Sequence, residues 1–358
     1  MTVRTDLMRR LSLDSPVIQA PMAGGGDTPA MVAAVGEAGG IGFVGGAYLS
    51  PEALASATAE IRARTDRPFG VNLFAPVPPP DLATDAADTV ARMAPFFAEL
   101  GLPAPVPPSL PPDGLAAQVE VALDSGASAF SYTFGLMPDE VVAAARARGM
   151  TILGTASTVE EARALEASGV DAIVAQGSEA GGHRATFLGE AETSAVGTMA
   201  LVPQVVDAVS VPVVASGGIM DGRGIAAALA LGAQAVQMGT AFLTTEEAGI
   251  PPVYKVALAA AREDETRLTR AFSGRAARGI VNRFMREVDA AGDILPFPLQ
   301  NALTRPMRTA AAQQGKPEYL SLWAGQGMTM ARPGGAGDLV ARLTAETEAA
   351  LSRLSALA

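Results

Sequence analysis

Short runs of apolar residues alternate with alanine-rich stretches of helical periodicity over the first two-thirds of the chain. The apolar runs contain few polar positions, which is typical of strands that are buried on both faces of a parallel sheet. We therefore predict eight strands, at Val17–Ala20, Ile41–Val44, Gly70–Phe74, Ala129–Thr133, Thr151–Gly154, Ala172–Ala175, Val213–Ala215 and Ala235–Met238.

The stretches between these strands have the composition and spacing of helices that pack on a sheet. We predict helices at Pro29–Ala38, Pro51–Arg64, Leu115–Ser125, Asp139–Arg148, Val159–Ser168, Thr198–Val209 and Gly222–Leu231. Strands that are joined through crossover helices pair in parallel. Eight of them favour an α/β fold, a closed (β/α)8 TIM barrel, over an open sheet.

Two segments interrupt this alternation. Residues 76–112 contain 11 prolines, too many for a regular element, so we predict an extended surface insertion with a short helix at Ala87–Leu100. Residues 241–336 follow the eighth strand and lack the strand–helix repeat. We expect them to form a mostly helical substrate or cap domain, with helical runs at Arg262–Arg270 and around Ile280–Ala290.

The remaining residues are assigned to the barrel domain. It comprises residues 1–240 and 337–358, and its last part, Asp338–Leu357, has the pattern of an amphipathic helix that returns to the barrel wall. Two domains of this kind fit a chain of 36.3 kDa.

Composition excludes several classes of protein. The net charge of −11 argues against nucleic acid and anionic membranes as partners, and no apolar run approaches the ~20 residues of a membrane span. The absence of cysteine excludes disulfides, thiolate catalysis and Cys-rich metal sites. The N-terminus lacks the apolar core of a signal peptide, so a cytoplasmic location is the default expectation. A homodimer and a monomer both remain open.

The single histidine, His183, follows a predicted strand in a glycine-rich segment, Gln176-Gly177-Ser178-Glu179-Ala180-Gly181-Gly182-His183-Arg184. Histidine is the side chain whose ordinary pKa lies near neutral pH. An imidazole that a flexible loop delivers to a strand end is typical of a proton-handling or anion-binding group in an active site. The alternative is a structural histidine that caps a backbone carbonyl.

Glycine-rich loops follow the last two predicted strands, at Ala215-Ser216-Gly217-Gly218-Ile219 and Gln237-Met238-Gly239-Thr240. Glycine lets backbone N–H groups approach an anion closely, and the loops after strands seven and eight are the usual phosphate site of a TIM barrel. We therefore predict phosphate binding there, although tight turns alone would also explain the glycines.

Other strand ends carry residues that suit a flat ring system. The first strand ends in Gln19-Ala20-Pro21-Met22-Ala23-Gly24, whose small residues leave an open surface. Asn72 and Gln176 place amides at the ends of the third and sixth strands, where they could hydrogen-bond ring heteroatoms. Two amides and a phosphate cradle around one barrel mouth indicate flavin mononucleotide (FMN).

These segments carry a family resemblance that runs nearly end to end. The His183 segment resembles the signature of the nitronate monooxygenases, formerly 2-nitropropane dioxygenases, and most resembles their class I branch. Ala185 stands where we expect a glycine, which is a small change. Matching motifs are Ala20-Pro21-Met22-Ala23-Gly24, the two glycine-rich loops above, Ser273-Gly274-Arg275-Ala276-Ala277-Arg278-Gly279 and Leu322-Trp323-Ala324-Gly325-Gln326-Gly327.

The resemblance implies a TIM barrel that holds FMN and oxidises alkyl nitronates, such as propionate 3-nitronate, with O2 through an anionic flavosemiquinone, giving a carbonyl product and nitrite or nitrate. His183 would be the catalytic residue, and no metal is expected. The loops and the resemblance together predict FMN contacts from Pro21, Met22, Ala23, Asn72, Gln176, Gly181, Gly182, Ser216, Gly217, Gly218, Gln237, Met238, Gly239 and Thr240.

Several roles stay open at this point. His183 could act as an imidazolium that holds the anionic nitronate, which we prefer, or as a neutral base that deprotonates a nitroalkane; a nearby Glu179 would raise its pKa. Tyr132, Lys316 and Tyr319 are candidates for the substrate pocket, with packing or solvated roles as the alternative. Arg275 and Arg278 have structural and functional interpretations of equal weight.

Two other functions compete with nitronate oxidation. The first is an NAD(P)H-dependent flavin reductase of a quinone or an enoyl thioester on the same fold. The second is a non-enzymatic sensor of a phosphate-bearing ligand. A metal-dependent hydrolase is disfavoured because one histidine gives too few ligands, and no Gly-x-Ser-x-Gly elbow supports a serine hydrolase.

Overall fold

The computed structural model describes residues 3–78, 86–110 and 114–357. Eight parallel strands form a closed barrel, a TIM barrel with helices around it, which confirms the predicted fold class. The barrel strands match the predicted ones to within two residues at each end: β1 Val17–Gln19, β2 Ile41–Gly45, β3 Phe69–Phe74, β4 Ala129–Thr133, β5 Thr151–Ala156, β6 Ala172–Gln176, β8 Val213–Ser216 and β9 Ala235–Met238.

The helices begin at residues that favour helix initiation. The side chains of Thr28, Ser50 and Thr158 each accept a hydrogen bond from a backbone N–H in the first turn of the helix that follows. The helices are α1 Asp6–Arg10, α2 Pro29–Glu37, α3 Pro51–Arg64, α4 Ala86–Glu99, α5 Leu115–Asp124, α6 Asp139–Ala147, α7 Val159–Ala167, α8 Thr198–Ala208, α9 Gly222–Ala230, α10 Thr240–Leu243, α11 Pro252–Ala260, α12 Arg283–Ala291, α13 Leu299–Gln313 and α14 Ala336–Ser355.

The strand register brings polar residues to one end of the barrel. Asn72 lies opposite Ser131 on the neighbouring strand. On the other side of the barrel, Gln176 lies opposite Ser216, which in turn lies opposite Gln237. Parallel strands end on the same side of a barrel, so these residues surround one mouth.

The other end of the barrel is closed by apolar packing. Leu7 and Met8 of α1 are fully buried, and they pack in one cluster with residues that fill the barrel, such as Ile18 and Phe43. The backbone N–H of Leu7 donates a hydrogen bond of 2.9 Å to the side chain of Gln234. A sealed bottom leaves the carboxyl ends of the strands as the place for chemistry.

The segment after β9 is not entirely helical. A three-stranded sheet is formed by β10 Thr266–Thr269, β11 Ala277–Ile280 and β7 Gly182–His183, in the order β10-β11-β7. The predicted helix at Arg262–Arg270 is therefore wrong. Its β-branched residues pair with β11 instead, because cross-strand partners override local helical propensity.

A second hydrophobic core lies in this cap. It joins α11, α12 and α13 with α4, the helix predicted inside the proline-rich insertion, and the rings of Phe96 and Phe284 lie 5.0 Å apart. Residues 79–85 and 111–113 of that insertion lie outside the described residues. The terminal helix α14 packs against α2 and α9 of the barrel wall. The residue boundaries of the two domains stay a prediction.

Candidate active site

A cavity of about 910 Å³ opens at the carboxyl ends of the barrel strands. Its walls come from the loops after the strands and from α13 and the segment around Trp323 in the cap. His183 and every residue predicted to contact FMN line this one cavity: Pro21, Met22, Ala23, Asn72, Gln176, Gly181, Gly182, Ser216, Gly217, Gly218, Gln237, Met238, Gly239 and Thr240. A concave site with convergent polar groups is where ligand binding is expected.

His183 is fixed by backbone pairing and by rings. As part of β7 it pairs with Ala277 of β11. The centre of its imidazole lies 5.8 Å from that of Phe134 and 5.6 Å from that of Trp323. Its Nε2 lies 2.8 Å from the Oγ of Ser273. The imidazole therefore has a defined orientation in a largely apolar surrounding.

The surroundings keep this imidazole neutral. Burial, and then the positive charges of Arg275 and Arg308, lower the pKa of His183 from 6.5 to about 3. Glu179 does not offset them, since its carboxylate accepts hydrogen bonds from the N–H and hydroxyl of Thr198. The ligand-free imidazole is therefore neutral, and its preferred role as an imidazolium that holds the nitronate stays a prediction for the substrate-bound site.

Gln176 holds the loop that carries His183. Its Nε2 donates to the backbone carbonyl of His183, and its Oε1 accepts from Ala185 N and from Arg184. Arg184 is only 1% exposed and also donates to the carbonyl of Gly177. The amide of Gln176 thus positions the loop that carries His183, in addition to facing the cavity.

The loop after β1 is held by a partly buried carboxylate. Asp27 accepts hydrogen bonds from the backbone N–H groups of Met22 and Gly45. Burial raises the pKa of Asp27 to about 6, although both hydrogen bonds act to lower it. Across the mouth, the amide of Asn72 donates to Ser131 Oγ at 2.8 Å, which fixes its orientation.

The two glycine-rich loops present free donors. The backbone N–H groups of Gly218, Gly239 and Thr240 donate to no acceptor within the described residues. Gly217 and Gly218 have φ values of 114° and 73°, a region that other residues rarely adopt. Unpaired N–H groups at a cavity wall are suited to phosphate oxygens.

Three predicted pocket residues lie elsewhere. Tyr132 lies outside the barrel interior with its hydroxyl 3.3 Å from Ser168 Oγ of the α7 end, because strand side chains alternate and Ser131 takes the inward position. Lys316 donates to the backbone carbonyl of Glu99 at 3.0 Å, and the Tyr319 hydroxyl donates to the Glu99 carboxylate. None of the three lines the cavity.

Other lining residues were not singled out from the sequence. They include Tyr48, Phe74, Phe134, Tyr254, Arg305, Arg308 and Trp323. The α13 residues that line the cavity recur at helical spacing: Asn301, Arg305, Arg308, Thr309, Ala312 and Gln313. Polar residues at helical spacing on a helix that also buries apolar residues are the sequence signal that could have identified this cavity wall.

Both arginines of the Ser273–Gly279 motif donate hydrogen bonds to backbone carbonyls. Arg275 donates to the carbonyls of Arg184 and Thr186 and lies 3.9 Å from the centre of the Phe134 ring. Arg278 donates to the carbonyl of Ser178 at 2.8 Å. They fasten the cap sheet to the His183 loop.

No group of three or more His, Asp or Glu side chains in the described part of the chain has an arrangement that could hold a metal ion. None of the helices there combines the length and apolar character that a bilayer crossing requires.

Comparison with known proteins gives consistent matches. The family model described as nitronate monooxygenase matches residues 5–346. The "Probable nitronate monooxygenase" of Bacillus subtilis (strain 168) is 43% identical over 328 residues, covering 90% of this chain and 93% of the relative.

Solved structures extend the same comparison. The nitroalkane oxidase from Streptomyces ansochromogenes superposes with a TM-score of 0.91 at 44% identity, covering 98% of this chain and 100% of that chain. FabK from Thermotoga maritima superposes with a TM-score of 0.78 at 30% identity, covering 100% of both chains.

Proposed function

This chain belongs to the nitronate monooxygenase family, and from that premise we propose that it binds FMN at the barrel mouth and oxidises alkyl nitronates with O2. The family membership confirms the resemblance drawn from the motifs. It makes the chain an oxidoreductase of a flavoenzyme family that acts on nitronates or nitroalkanes. One observation supports the proposal of FMN binding and nitronate oxidation: the predicted FMN residues and His183 line one cavity.

The residues at the cavity fit FMN. The unpaired N–H groups of Gly218, Gly239 and Thr240 would hold the phosphate. The loop at Pro21–Ala23, braced by Asp27, would lie along the ring system. Asn72 and Gln237 supply polar side chains at the strand ends. No described acidic residue other than Asp27 lines the cavity to repel a phosphate.

Bound FMN would supply the electron acceptor for the nitronate, and O2 would complete the oxidation to a carbonyl product with nitrite or nitrate. The protein's contribution to a nitronate substrate is binding and orientation, because the carbon is already deprotonated. The positive charges of Arg275 and Arg308, which lower the pKa of His183, also favour an anion beside the imidazole. The rings of Phe134 and Trp323 pack beside the imidazole and limit its orientation.

For a neutral nitroalkane, His183 has a further task. A neutral imidazole can accept the proton from the carbon that bears the nitro group. The product of that step is an anion beside two guanidinium groups, so the same charges that keep the free imidazole neutral stabilise the nitronate. The proposal therefore includes nitroalkanes as substrates, with nitronates reacting faster because they skip the proton transfer.

An anaerobic titration tests cofactor and substrate together. We expect the purified protein to be yellow, to release FMN on denaturation, and to lose the oxidised flavin spectrum when propionate 3-nitronate is added without O2. A colourless protein that binds no added FMN would refute the proposal, and so would an unchanged flavin spectrum.

A reductase is the second candidate, since FabK superposes over the whole chain at 30% identity. The same anaerobic cuvette distinguishes the two. Rapid bleaching of the flavin by NADPH would favour a reductase of a quinone or an enoyl thioester. Persistence of the oxidised flavin with NADPH, followed by reaction with the nitronate, is what we expect.

A further inference from the structure

Phe134, which follows β4, has a backbone conformation that phenylalanine rarely adopts. Its φ is 78°, in the left-handed region, where the Cβ of an L-residue crowds a carbonyl oxygen. The other two described non-glycine residues with positive φ, Ser12 and Asp293, have small polar side chains, whereas a bulky residue there is an outlier. The next residue is Gly135, so the strain falls on the aromatic residue although a glycine is adjacent.

Four partners hold the Phe134 ring. Its centre lies 4.5 Å from that of Phe74 and 6.2 Å from that of Phe297. It lies 5.8 Å from the centre of the His183 imidazole, and the Cζ of Arg275 lies 3.9 Å from it. Aromatic pairs and a cation over a ring are both stabilising. Backbone strain persists only where the surroundings impose it, and these contacts impose it here.

The ring restricts the imidazole at the wall of the cavity. Phe134 is only 5% exposed and lines the cavity together with His183. The contact between His183 Nε2 and Ser273 Oγ, at 2.8 Å, fixes one edge of the imidazole but leaves rotation about that contact open. The Phe134 ring stands at 81° to the imidazole plane and hinders this rotation, so it helps to fix the direction of Nδ1.

The same ring contributes to the environment of the imidazole. Burial is the largest cause of the lowered pKa of His183, and the charged groups that act on it are Arg275 and Arg308. Phe134 supplies apolar surface to that burial and also contacts the guanidinium of Arg275. One side chain therefore touches both the imidazole and one of the two cations that act on it.

We propose that Phe134 is a positioning residue for His183, whose strained backbone turns the ring into the cavity wall to hold the imidazole and the Arg275 guanidinium in place. This inference rests on the proposed function, in which neutral His183 accepts the proton of a nitroalkane. A relaxed backbone would point the Cβ in another direction, so the strain is needed to place the ring. Such strain is concentrated at functional sites.

A pair of variants tests the strain. Phe134→Gly and Phe134→Ala remove the same ring and differ only in the Cβ. At an ordinary φ the alanine variant would be the more stable one. At a φ of 78° we expect the glycine variant to unfold at the higher temperature. A higher unfolding temperature for Phe134→Ala would overturn the proposal.

Nuclear magnetic resonance tests the contact with the imidazole. His183 is the single histidine, so a histidine-labelled holoenzyme has one imidazole to follow. We expect the wild-type imidazole to stay neutral as the pH falls from 6.5 toward 3. In Phe134→Ala and Phe134→Gly it should become protonated within this range, because water reaches it. Identical titrations in wild type and variants would overturn the proposal.

Turnover tests the positioning. In Phe134→Leu, which keeps an apolar side chain, we expect kcat for 1-nitropropane to fall by about 10- to 100-fold with little change in KM, because the base is misaligned. The kcat for propyl-1-nitronate, which is already deprotonated, should fall less.

Phe130→Leu is the matched control. Phe130 is a fully buried phenylalanine of the same strand, and its ring pairs with Tyr132 outside the cavity. We expect this variant to lose thermal stability but to keep the wild-type ratio of the two kcat values. If Phe134→Leu also keeps that ratio, the ring only packs and the proposal is wrong.

The two proposals fail differently. If the wild type oxidises both compounds and the Phe134 variants change neither the ratio nor the titration, the positioning role is wrong and the proposed function stands. If the wild type oxidises neither compound, the proposed function is wrong. The titration of His183 and the order of the two unfolding temperatures then still decide whether a strained Phe134 holds the imidazole.

Discussion

The Nε2 of His183 lies 2.8 Å from the Oγ of Ser273, which in turn donates its proton to the backbone carbonyl of Arg275 at 3.0 Å. A hydroxyl has one proton, so the Ser273 oxygen must accept from the imidazole. This assigns the proton of neutral His183 to Nε2 and makes Nδ1 the basic nitrogen. Ser273 therefore fixes the orientation of the imidazole, and under the proposed function it is a positioning residue for the base.

Replacing Ser273 by alanine should impair proton transfer selectively. In Ser273→Ala the partly buried Nε2–H loses its acceptor, at a cost of about 1–3 kcal/mol, so the imidazole can turn or change tautomer. We expect kcat/KM for 1-nitropropane to fall by about 10-fold or more, and that for propyl-1-nitronate, which needs no base, to fall less. Equal losses with both substrates would show that the hydroxyl has only a structural role.

Removing the imidazole should separate catalysis from cofactor binding. In His183→Asn we expect FMN to stay bound, because its predicted contacts come from other residues of the cavity, while nitroalkane oxidation falls by about 10²- to 10⁴-fold, the usual contribution of a general base. FMN content by absorbance and steady-state rates give the two readouts. Unchanged kinetics would exclude His183 from the reaction.

The same variant should change the acid stability of the protein. The pKa of His183 is 6.5 when unfolded and about 3 in the folded protein, so between these values the unfolded chain binds a proton that the folded chain does not. The free energy of unfolding therefore decreases as the pH falls from 6.5 to about 3, by up to about 1.4 kcal/mol per pH unit. Above pH 6.5 the imidazole is neutral in both states and this effect ends.

Chemical denaturation between pH 4 and 7 measures this effect. Asp27 acts in the opposite direction, because its pKa is raised from 3.8 to about 6, so its contribution to stability decreases as the pH rises through that range. The wild-type slope is therefore a difference of the two effects. We expect His183→Asn to flatten or reverse the slope, and a slope identical to that of the wild type would contradict the folded-state pKa of the imidazole.

Asp27 should matter for the loop that faces the flavin. Asp27→Ala leaves the N–H groups of Met22 and Gly45 without an acceptor, which costs about 1–3 kcal/mol each if they stay buried. We expect a lower free energy of unfolding and weaker FMN binding, measured by urea denaturation and by flavin fluorescence. Asp27→Asn, which keeps a carbonyl oxygen, is the matched control and should have a smaller effect on both.

Gly181 should tolerate no side chain. A Cβ there would lie 2.5 Å from Gly325 N and 2.6 Å from the carbonyl carbon of Ala324, so Gly181→Ala must push the His183 loop away from the cap. We expect a loss of about 1–3 kcal/mol in stability together with weaker FMN binding. Gly135→Ala is the control, because its Cβ would meet nothing closer than 3.4 Å. Equal stability of the two variants would show that the loops separate freely.

The sequence by itself determined the barrel and most of its mouth. Buried parallel strands are recognisable from uninterrupted apolar runs, and in a barrel the residues that follow such runs must gather at one end. Asn72, Gln176 and Gly218 could therefore be assigned to one cavity without knowing their distances.

The side of a strand on which a residue lies was decided by the register. Both faces of a barrel strand are buried, so the apolar pattern does not distinguish inward from outward positions. Pairing of Asn72 with Ser131 turns Ser131 inward, and the alternation of side chains then places Tyr132 among the outer helices. Likewise, Thr266–Thr269 became a strand because β11 was available as a partner.

Only the tertiary structure decided the chemistry of His183. Its neutral state follows from burial and from Arg275 and Arg308, and its tautomer from Ser273, which is 90 residues away in sequence. Local sequence specifies the residue type at a strand end, but pKa and hydrogen bonding depend on charges and desolvation that distant segments create when they pack. The residue types at the strand ends could therefore be predicted from the sequence, whereas the pKa and the tautomer of His183 follow only from the packed structure.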